Sequence, residues 1–530
     1  MKSITFTLVV CILFVPIRSY KILGVYPLPS KSHFYIGHAL MEGLAKDGHD
    51  VTVISPFNVS HPHENYRHIL LETSYELFQK KYAKNNFLDL SRLYFWDMVL
   101  KYYRFGVRFT NITFSSANFQ KFLRTEQHFD VIVIESCLQD ALYALSQHFQ
   151  APLIVTTASG ATKFSTDLVG SPNFPSYIPH IYTHYTDRMT FWQRIYNSLS
   201  FWFEDLTFPI YFAPKQQEIM EKSFTNAKNW PSLEEIKRNV SLVLLNTHVT
   251  YGTPRPYPQN MIEVGGIQIK SDVDPLPVKI QQFLDEAKDG VIYLSLGSNV
   301  LLTKLSKHQI DAILNGFSAY PSTRLLIKSD KHLIIPSHKQ SDVLVEPWFP
   351  QQSILAHKSV TIFISHGGIL STSEAVYFGK PVIGISVFFD QHSNMQIAQQ
   401  KGHGISIPID TLNEDNFKSA VNTIMKDSSY RHNVRLSSAR FRDQLKSPLE
   451  TAMHWVKHVA KNKGAPYLKS VSVDLPFYVL YNLDVWAFIG GGFTLIIFLI
   501  VKRVNSFINS LKFKHLNTSE NIFIDKLKEL

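Results

Sequence analysis

The sequence predicts an α/β protein in which two doubly wound, Rossmann-like domains face a cleft and one C-terminal transmembrane helix follows them. Two observations predict the paired domains. Short apolar strands alternate with helical segments along two stretches of the 530 residues, and a linker rich in Gly, Pro and Asp at 264–276 separates these stretches. Such alternation is typical of a parallel sheet with helices on both faces. The third observation is the charge-free run from Val485 to Val501, which predicts the transmembrane helix.

The composition narrows the functional classes. With 45% apolar and 18% charged residues, the chain can bury large cores, and wholesale disorder is excluded. Cys11 and Cys137 are the only cysteines, which excludes a disulfide framework and a multi-cysteine zinc site. The net charge of +10 is scattered without a long Lys/Arg block, so nucleic acid is not an expected partner. Some of the aromatic clusters at 94–96, 102–103, 201–203 and 211–212 are expected to line a ligand pocket or touch a membrane, with packing in a core as the equal alternative.

The predicted N-terminal domain spans residues 20–263. Its first strand is the apolar run 21–26, after which Ile36, Leu40 and Leu44 recur at helical spacing and 51–54 forms the next strand. A second unit consists of a strand at 129–134, a helix at 141–149 and a strand at 153–156. These segments predict a parallel sheet that begins at the first strand.

The predicted C-terminal domain spans residues 277–465. Its strands are expected at 291–295, 324–327, 343–345, 361–364 and 382–385. In doubly wound sheets, ligands bind beyond the carboxyl ends of the strands. We therefore expect the functional residues of this domain directly after these strands.

Both ends of the chain carry targeting signals. Residues 1–19 have the pattern of a secretory signal peptide, and Asn58, Asn111 and Asn239 begin glycosylation sequons. A juxtamembrane segment at 466–484 leads to the predicted transmembrane helix at 485–503.

The basic pair Lys502-Arg503 follows the apolar run and predicts a cytosolic tail at 504–530. Lys526 and Lys528 resemble a dilysine retrieval signal. The expected location is therefore the endoplasmic reticulum membrane, as a single-pass type I glycoprotein with a lumenal body.

The most informative stretch runs from Trp348 to Gln391. The strand at 361–364 ends in Ser365-His366-Gly367-Gly368, and a helix follows. Glycines at a strand-to-helix turn let a ligand approach the backbone, and the N-terminus of a helix favours a phosphate group. Ser371 and Glu374 share one face of that helix with Gly367, so a carboxylate lies one turn beyond the phosphate position. The flat face of Trp348 suits a nucleobase.

These residues carry a resemblance to a known family. Trp-x-x-Gln, Ser-His-Gly-Gly, Ser-x-x-Glu-Ala and Phe-Asp-Gln occur in order over residues 348–391. This series resembles the signature of the UDP-glycosyltransferases, and nearly the whole chain is similar to their membrane-bound animal members, in particular to insect ones. The resemblance implies the GT-B fold and transfer of a hexose from a UDP-sugar to a hydroxyl of a small lipophilic acceptor, as in detoxification. UDP-glucose is the favoured donor and UDP-glucuronate the second choice.

The resemblance also implies roles for the residues of the donor site. Trp348 would stack on uracil and Gln351 would contact the nucleoside, while Glu374 would bind the ribose. Leu370 departs from the pattern, because many members have Asn there. His366, Gly367 and Gly368 would hold the pyrophosphate, and Asp390 and Gln391 would bind the sugar hydroxyls. The full set of implied donor-binding residues is Gly297, Ser298, Trp348, Gln351, His366, Gly367, Gly368, Ser371, Glu374, Asp390 and Gln391.

His33 matches the position of the family's catalytic histidine. A general base is needed to take the proton of the acceptor hydroxyl as its oxygen attacks the anomeric carbon, and an imidazole suits this task. A carboxylate would orient the ring. Glu135 and Asp140 both compete for that role, and Asp140 is preferred because it matches the residue type of the family. The implied reaction inverts the anomeric configuration.

Other functions remain open at this point. Asp272-Val273-Asp274 resembles a metal-binding D-x-D motif, but it falls in the linker, so no metal is expected. One alternative activity is glycosylation of a membrane lipid such as a ceramide. A protein that binds small molecules without turnover is a weaker alternative, because His33 and the donor block are both present. The sequence leaves a homo-oligomer open.

Overall fold

The computed structural model describes residues 19–72, 74–78, 93–298, 300–318, 320, 322–329, 333 and 341–528. These residues belong to two compact units, one ending at Ser470 and one beginning at Val471. The predicted signal peptide at 1–19 lies outside the described residues, apart from Ser19.

The N-terminal domain is built on a parallel sheet that has seven strands in the described part of the chain. The order across the sheet is 3-2-1-4-5-6-7 in chain numbering, which is the doubly wound arrangement. The strands are β1 (Lys21–Val25), β2 (Asp50–Ser55), β3 (Tyr66–Leu70), β4 (Val131–Glu135), β5 (Leu153–Thr157), β6 (Val240–Leu245) and β7 (Met261–Glu263).

Successive residues of these strands enter different cores. Ile22 packs into one apolar cluster and Leu23 into another, because neighbouring strand side chains point to opposite faces of a sheet. Both faces are therefore covered, as the sequence predicts. The covering helices are α1 (Lys31–Lys46), α2 (Ser74–Phe78), α3 (Phe95–Ser115), α4 (Ala117–Leu123), α5 (Leu145–Phe149), α6 (Lys163–Asp167), α7 (Phe191–Thr207), α8 (Ala213–Ser223) and α9 (Leu233–Lys237).

The C-terminal domain repeats this plan with six parallel strands among the described residues. The strands are β8 (Val291–Ser295), β9 (Arg324–Lys328), β10 (Val343–Glu346), β11 (Val360–Ser365), β12 (Val382–Ser386) and β13 (Gly404–Pro408), in the order β10-β9-β8-β11-β12-β13. The helices are α10 (Val278–Asp285), α11 (Lys307–Ser318), α12 (Gln351–Ala356), α13 (Ile369–Tyr377), α14 (Gln391–Gln400), α15 (Glu414–Lys426), α16 (Ser428–Arg442) and α17 (Pro448–Asn462). Two doubly wound domains are thus confirmed.

Two local features of the N-terminal domain differ from the prediction. The sequence places Ser32 and His33 in the loop between the first strand and the first helix, but they lie in the first turn of that helix, because α1 begins at Lys31. The helix expected at 141–149 is split into a 3₁₀ turn, Asp140–Ala144, and the short α5.

Helix α17 packs away from the domain in which the sequence places it. Its buried residues Ala452, Val456 and Val459 belong to the same apolar cluster as Leu40 and Leu44 of α1. The predicted C-terminal domain at 277–465 therefore includes a helix that completes the N-terminal core.

The second compact unit consists mainly of one long helix. A short helix, α18 (Phe477–Leu480), precedes α19 (Leu483–Lys528). The part of α19 from Leu483 to Lys514 contains an 18-residue window with a mean hydropathy of 2.1, so it is long and apolar enough to cross a bilayer. This finding fits a single-pass membrane anchor at the predicted place, although the helix continues past the expected end at 503.

Candidate active site

A cavity of about 990 Å³ lies where the carboxyl ends of both sheets face each other, and residues of both domains line it. The N-terminal domain contributes His33 among others. Of the predicted donor-site residues, the cavity is lined by Gly297, Ser298, Trp348, Gln351, His366, Gly368, Ser371, Glu374, Asp390 and Gln391. Gly367 lies next to this set but does not line the cavity, and neither does Asp140.

His33 and Glu135 form the polar pair on the N-terminal side. Strands β1 and β4 are neighbours with Val25 opposite Ile134, so the residues that follow meet at one edge of the sheet. The first turn of α1 holds His33 there, and its Nδ1 donates to Glu135 Oε1 at 2.5 Å. Burial lowers the pKa of His33, but the carboxylate of Glu135 raises it, and the net pKa lies above the ordinary value of 6.5.

Asp140 does not contact His33, contrary to the prediction. Its carboxylate lies 2.9 Å from Lys237 Nζ, beside a separate small cavity that Lys163 and Asp167 also line. The reason is local: the chain turns sharply at Leu138, whose φ is 56°, and carries Asp140 into the 3₁₀ turn. Glu135, as the last residue of β4, stays at the sheet edge.

Two glycines flank the ring of His366 at the carboxyl ends of β8 and β11. A Cβ on Gly297 would lie 2.6 Å from Cε1 of His366, and a Cβ on Gly368 would lie 2.6 Å from its Nε2. The Nδ1 atom is buried and has no hydrogen-bond partner within the described residues. Burial, and then the charge of Lys328, lower the pKa of His366 to about 4. The imidazole is therefore neutral at pH 7 and can donate one hydrogen bond to a ligand.

The turn after His366 is held by α14. Gly367 has a φ of 81°, and a Cβ there would lie 2.6 Å from Cγ of Met395, so the position favours glycine on both counts. Nδ2 of Asn394 donates to the carbonyl oxygen of Gly367 at 3.0 Å and to Asp390 Oδ2 at 2.7 Å. One amide thus links the predicted phosphate turn to the predicted sugar-binding residue.

Glu374 lies buried between two glutamines. Gln351 Nε2 donates to Glu374 Oε2 at 2.7 Å, and Gln352 Nε2 donates to Oε1 at 3.1 Å. Burial raises the pKa of Glu374, and the two amides partly offset that rise. The same Gln351 Nε2 lies 3.3 Å from Oγ of Ser371, so the motif residues on α12 and α13 form one network.

Trp348 stands half exposed at the end of the cavity expected to hold the base. Lys328 Nζ lies 4.4 Å from its ring centroid and Lys31 Nζ 5.3 Å from it. Lys328 also donates to the carbonyl oxygen of Gly297 at 2.9 Å, and burial together with Lys31 lowers the pKa of Lys328 to about 8. Sequence reasoning did not anticipate Lys31, since a lysine as the first residue of a helix gives no signal of its own.

The remaining wall of the cavity is largely aromatic and apolar. Tyr102 and Tyr182 stack at 5.2 Å between ring centroids, and Phe389 from the C-terminal domain lies 4.4 Å from Tyr102. Met98 and Phe164 extend this wall. Phe389 has a φ of 60°, so the backbone directly before Asp390 takes a conformation that is rare for a bulky side chain. The wall suits an apolar, ring-bearing molecule.

Comparisons with known proteins agree with this geometry. The family model described as UDP-glucoronosyl and UDP-glucosyl transferase matches residues 22–515. The UDP-glycosyltransferase UGT5 of Dactylopius coccus is 34% identical over 479 residues, covering 89% of each chain. The chain belongs to the UDP-glycosyltransferase family. It is a glycosyltransferase that takes a UDP-sugar donor and an acceptor substrate.

Other relatives of this UDP-glycosyltransferase differ in the sugar that their names state. The UDP-glucosyltransferase 2 of Dactylopius coccus is 31% identical over 91% of the chain and 92% of that protein. The human UDP-glucuronosyltransferase 2B15 is 27% identical over 89% and 90%. A solved structure of the kitacinnamycin glycotransferase superposes with a TM-score of 0.54 at 15% identity, covering 84% of this chain and 99% of that one, which agrees with the GT-B fold.

Proposed function

We propose that this UDP-glycosyltransferase moves glucose from UDP-glucose to a hydroxyl of a small lipophilic acceptor, with inversion at the anomeric carbon. The single observation that carries the proposal is His33, paired with the buried Glu135, on one wall of a cavity whose other wall holds the donor motif. A base on one domain and a donor site on the other can act on two substrates held between them.

The proposed step has a simple balance of atoms. The acceptor oxygen attacks C1 of the sugar while its proton passes to Nε2 of His33, and the bond from C1 to the phosphate oxygen breaks. UDP leaves with that electron pair. Glu135 keeps the proton of His33 on Nδ1 and stabilises the imidazolium that forms. The N-terminus of α13, the Gly367–Gly368 turn and His366 would stabilise the charge on the leaving phosphate.

Two features support glucose over glucuronate as the sugar. Asp390, at the proposed sugar end, is an acidic side chain whose ionised form repels a second carboxylate; burial raises its pKa, and the amide of Asn394 and the charge of His33 partly offset that rise. Lys328, at the end of β9, is a cation that would suit the carboxylate of a glucuronate, but it contacts Gly297 and the ring of Trp348 at the proposed base end. Glucuronosyl transfer is the second candidate, since relatives that carry that name are similar over nearly the whole chain.

The other proposed properties concern the acceptor, metals and location. The aromatic wall of Tyr102, Tyr182 and Phe389 supports a lipophilic ring as the acceptor. We propose that transfer needs no added metal, with Asp274 engaged by Lys270 at 2.7 Å rather than poised for a cation. We also propose residence in the endoplasmic reticulum membrane with a lumenal body.

A two-donor assay tests the proposal. The full chain in membranes is incubated with radiolabelled UDP-glucose or UDP-glucuronate and a panel of phenols, with and without EDTA. We expect glucosides to form in both conditions, and the His33→Ala variant to bind UDP while forming none. If only labelled glucuronides formed, the donor would be UDP-glucuronate instead of UDP-glucose. A loss of activity with EDTA that manganese restores would overturn the proposal that transfer needs no metal. An active His33→Ala variant would overturn the role of His33.

A further inference from the structure

Helix α7 is amphipathic with its polar side turned inward. Its fully buried residues include Asn197 and Ser200, both 0% exposed, and Glu204, 1% exposed. The residues on its outer side are large and apolar, and they follow one another at spacings of three and four, which places them on one face. They are Trp192, Ile195, Leu199, Trp202 and Leu206, and we call them the outer stripe.

Specific bonds fix this orientation. Nδ2 of Asn197 donates to the carbonyl oxygens of Pro175 and Ile178 at 2.8 Å each, and its Oδ1 accepts from the backbone N–H of His180 at 2.7 Å. The carboxylate of Glu204 lies 3.1 Å from Nε2 of His180. Turning the helix to bury the outer stripe would break these bonds inside the protein, which is costly for buried polar groups.

The outer stripe is too exposed for a surface in contact with water. Trp192 is 75% exposed and Trp202 is 68% exposed. Isolated exposed apolar side chains are normal, but a continuous apolar stripe on a helix marks a contact with another apolar phase. The hydrophobic effect predicts the opposite arrangement of polar and apolar faces for a helix facing water.

We infer that the outer stripe of α7 lies in the surface of the lipid bilayer. The body ends at Ser470, and the candidate transmembrane helix begins at Leu483. Only residues 471–482 connect the two. Extended, these twelve residues reach about 40 Å, so the anchor keeps the body close to the membrane.

The chemistry of the stripe favours lipid over a second copy of the chain. Trp192 and Trp202 combine an apolar ring with an N–H group, and such residues are enriched at membrane surfaces. The stripe itself carries no charge, and the nearby Asp205 is compensated by Lys163 at 2.6 Å. An interface between two helices is usually flanked by charged residues that set the pairing, whereas an uncharged aromatic face suits the boundary between headgroups and acyl chains.

The inner side of α7 adjoins the wall of the acceptor cavity. Phe201 on the buried side of the helix lies 5.1 Å from the ring of His180, and that ring lies 5.4 Å from Tyr182, which lines the cavity. The membrane surface would therefore lie a layer of side chains behind the aromatic wall. A lipophilic molecule dissolved in the bilayer would have a short path to it.

Depth-dependent quenching tests this inference on the full chain. The Leu206→Cys variant is labelled with an environment-sensitive fluorophore and reconstituted in phosphatidylcholine vesicles with or without brominated acyl chains. The matched control is Leu436→Cys, an exposed leucine on α16, 43% exposed against 63% for Leu206. Unmutated protein, which has Cys137 within the described residues, provides the blank.

We expect brominated lipid to quench the label at position 206 and to leave the label at position 436 unchanged. The Ile210→Cys variant, at a position 70% exposed next to the stripe, repeats the measurement if Leu206→Cys is unstable. Equal fluorescence at the test and control positions in both lipids would overturn the inference. So would cross-linking between copies through the Leu206→Cys site without quenching, because a second copy would then cover the stripe. The measurement needs no turnover, so it stands apart from the proposed reaction.

Discussion

Two matched variants can show whether Glu135 or Asp140 is the carboxylate that assists His33. In Glu135→Gln, the ring keeps a hydrogen-bond acceptor but loses the charge that stabilises the imidazolium, so kcat should fall roughly 10²–10⁴-fold. In Asp140→Asn, the pair with Lys237 weakens while His33 is untouched, so the effect should be on stability rather than on kcat. Steady-state kinetics and thermal melts of both variants check this. Equal kinetic losses would restore Asp140 as the partner.

The pH dependence of the reaction follows from the same pair. A general base must be neutral, so the rate falls as the pH drops through the pKa of His33. Burial lowers this pKa but Glu135 raises it above 6.5 overall, so the acid limb of kcat/KM should lie above pH 6.5 in the native enzyme. In Glu135→Gln, burial still lowers the pKa of His33, while most of the increase caused by the carboxylate is lost. The acid limb of the residual activity should therefore lie at lower pH. A limb at the same pH in both proteins would contradict this assignment.

Two glycines with positive φ at the ends of secondary-structure elements offer a prediction at the level of the element. Gly297 after β8 has a φ of 80°, and a Cβ there would meet His366, whereas Gly48 after α1 has a φ of 88° and no atom within 4 Å of its Cβ position. Alanine should cost on the order of 1–2 kcal/mol of backbone strain at either position. Only Gly297→Ala should also displace His366 and weaken UDP binding.

Calorimetric titration of UDP and melting temperatures distinguish the two effects. Gly48→Ala serves as the control for strain alone, so it should lower the melting temperature and leave the affinity for UDP unchanged. An unchanged affinity in Gly297→Ala would mean that the ring of His366 does not take part in donor binding.

The elements differ in how far the sequence could predict them. Nine strands of the two sheets could be located to within two residues, because a run of buried β-branched and apolar residues between turns has few other uses. Strands β3, β6, β7 and β13 were not predicted from the sequence. From the sequence, Asp140 is preferred over Glu135, but the geometry favours Glu135 because of the turn at Leu138, which no sequence pattern predicts. Periodicity also gives a helix two faces without stating which one is buried. Asn197 and its bonds decide that for α7.

At the scale of the whole molecule, the sequence pattern and the observed packing disagree at α17, which the sequence places in the C-terminal domain but which packs on the N-terminal core. Nothing in residues 448–462 indicates which of two cores they join, since an apolar stripe fits either one. Val456 and Val459 lie against the N-terminal core, so the two domains share one continuous polypeptide path that passes back from the second to the first. The donor motif, by contrast, could be recognised because its residues occur in a fixed order within the single short stretch 348–391.

The membrane topology is the prediction that concerns the whole chain. The sequon asparagines Asn58, Asn111 and Asn239 lie in the body and are exposed, whereas Asn517-Thr518-Ser519 follows the candidate transmembrane helix. If the body is lumenal, the first three asparagines are available for glycosylation and Asn517 is not, by the positive-inside orientation that Lys502 and Arg503 predict.

Substitution of each asparagine by Gln, followed by electrophoresis before and after glycosidase treatment, measures which sites carry sugar. In intact microsomes, added protease should remove no more than the residues beyond the transmembrane helix, because the bilayer shields everything before it. Sugar on Asn517, or digestion of the whole body without detergent, would reverse the orientation. A reversed body would face cytosolic UDP-sugar directly and would need no import of the donor into the lumen, so the same experiment decides which pool of UDP-sugar reaches His33 and the donor site.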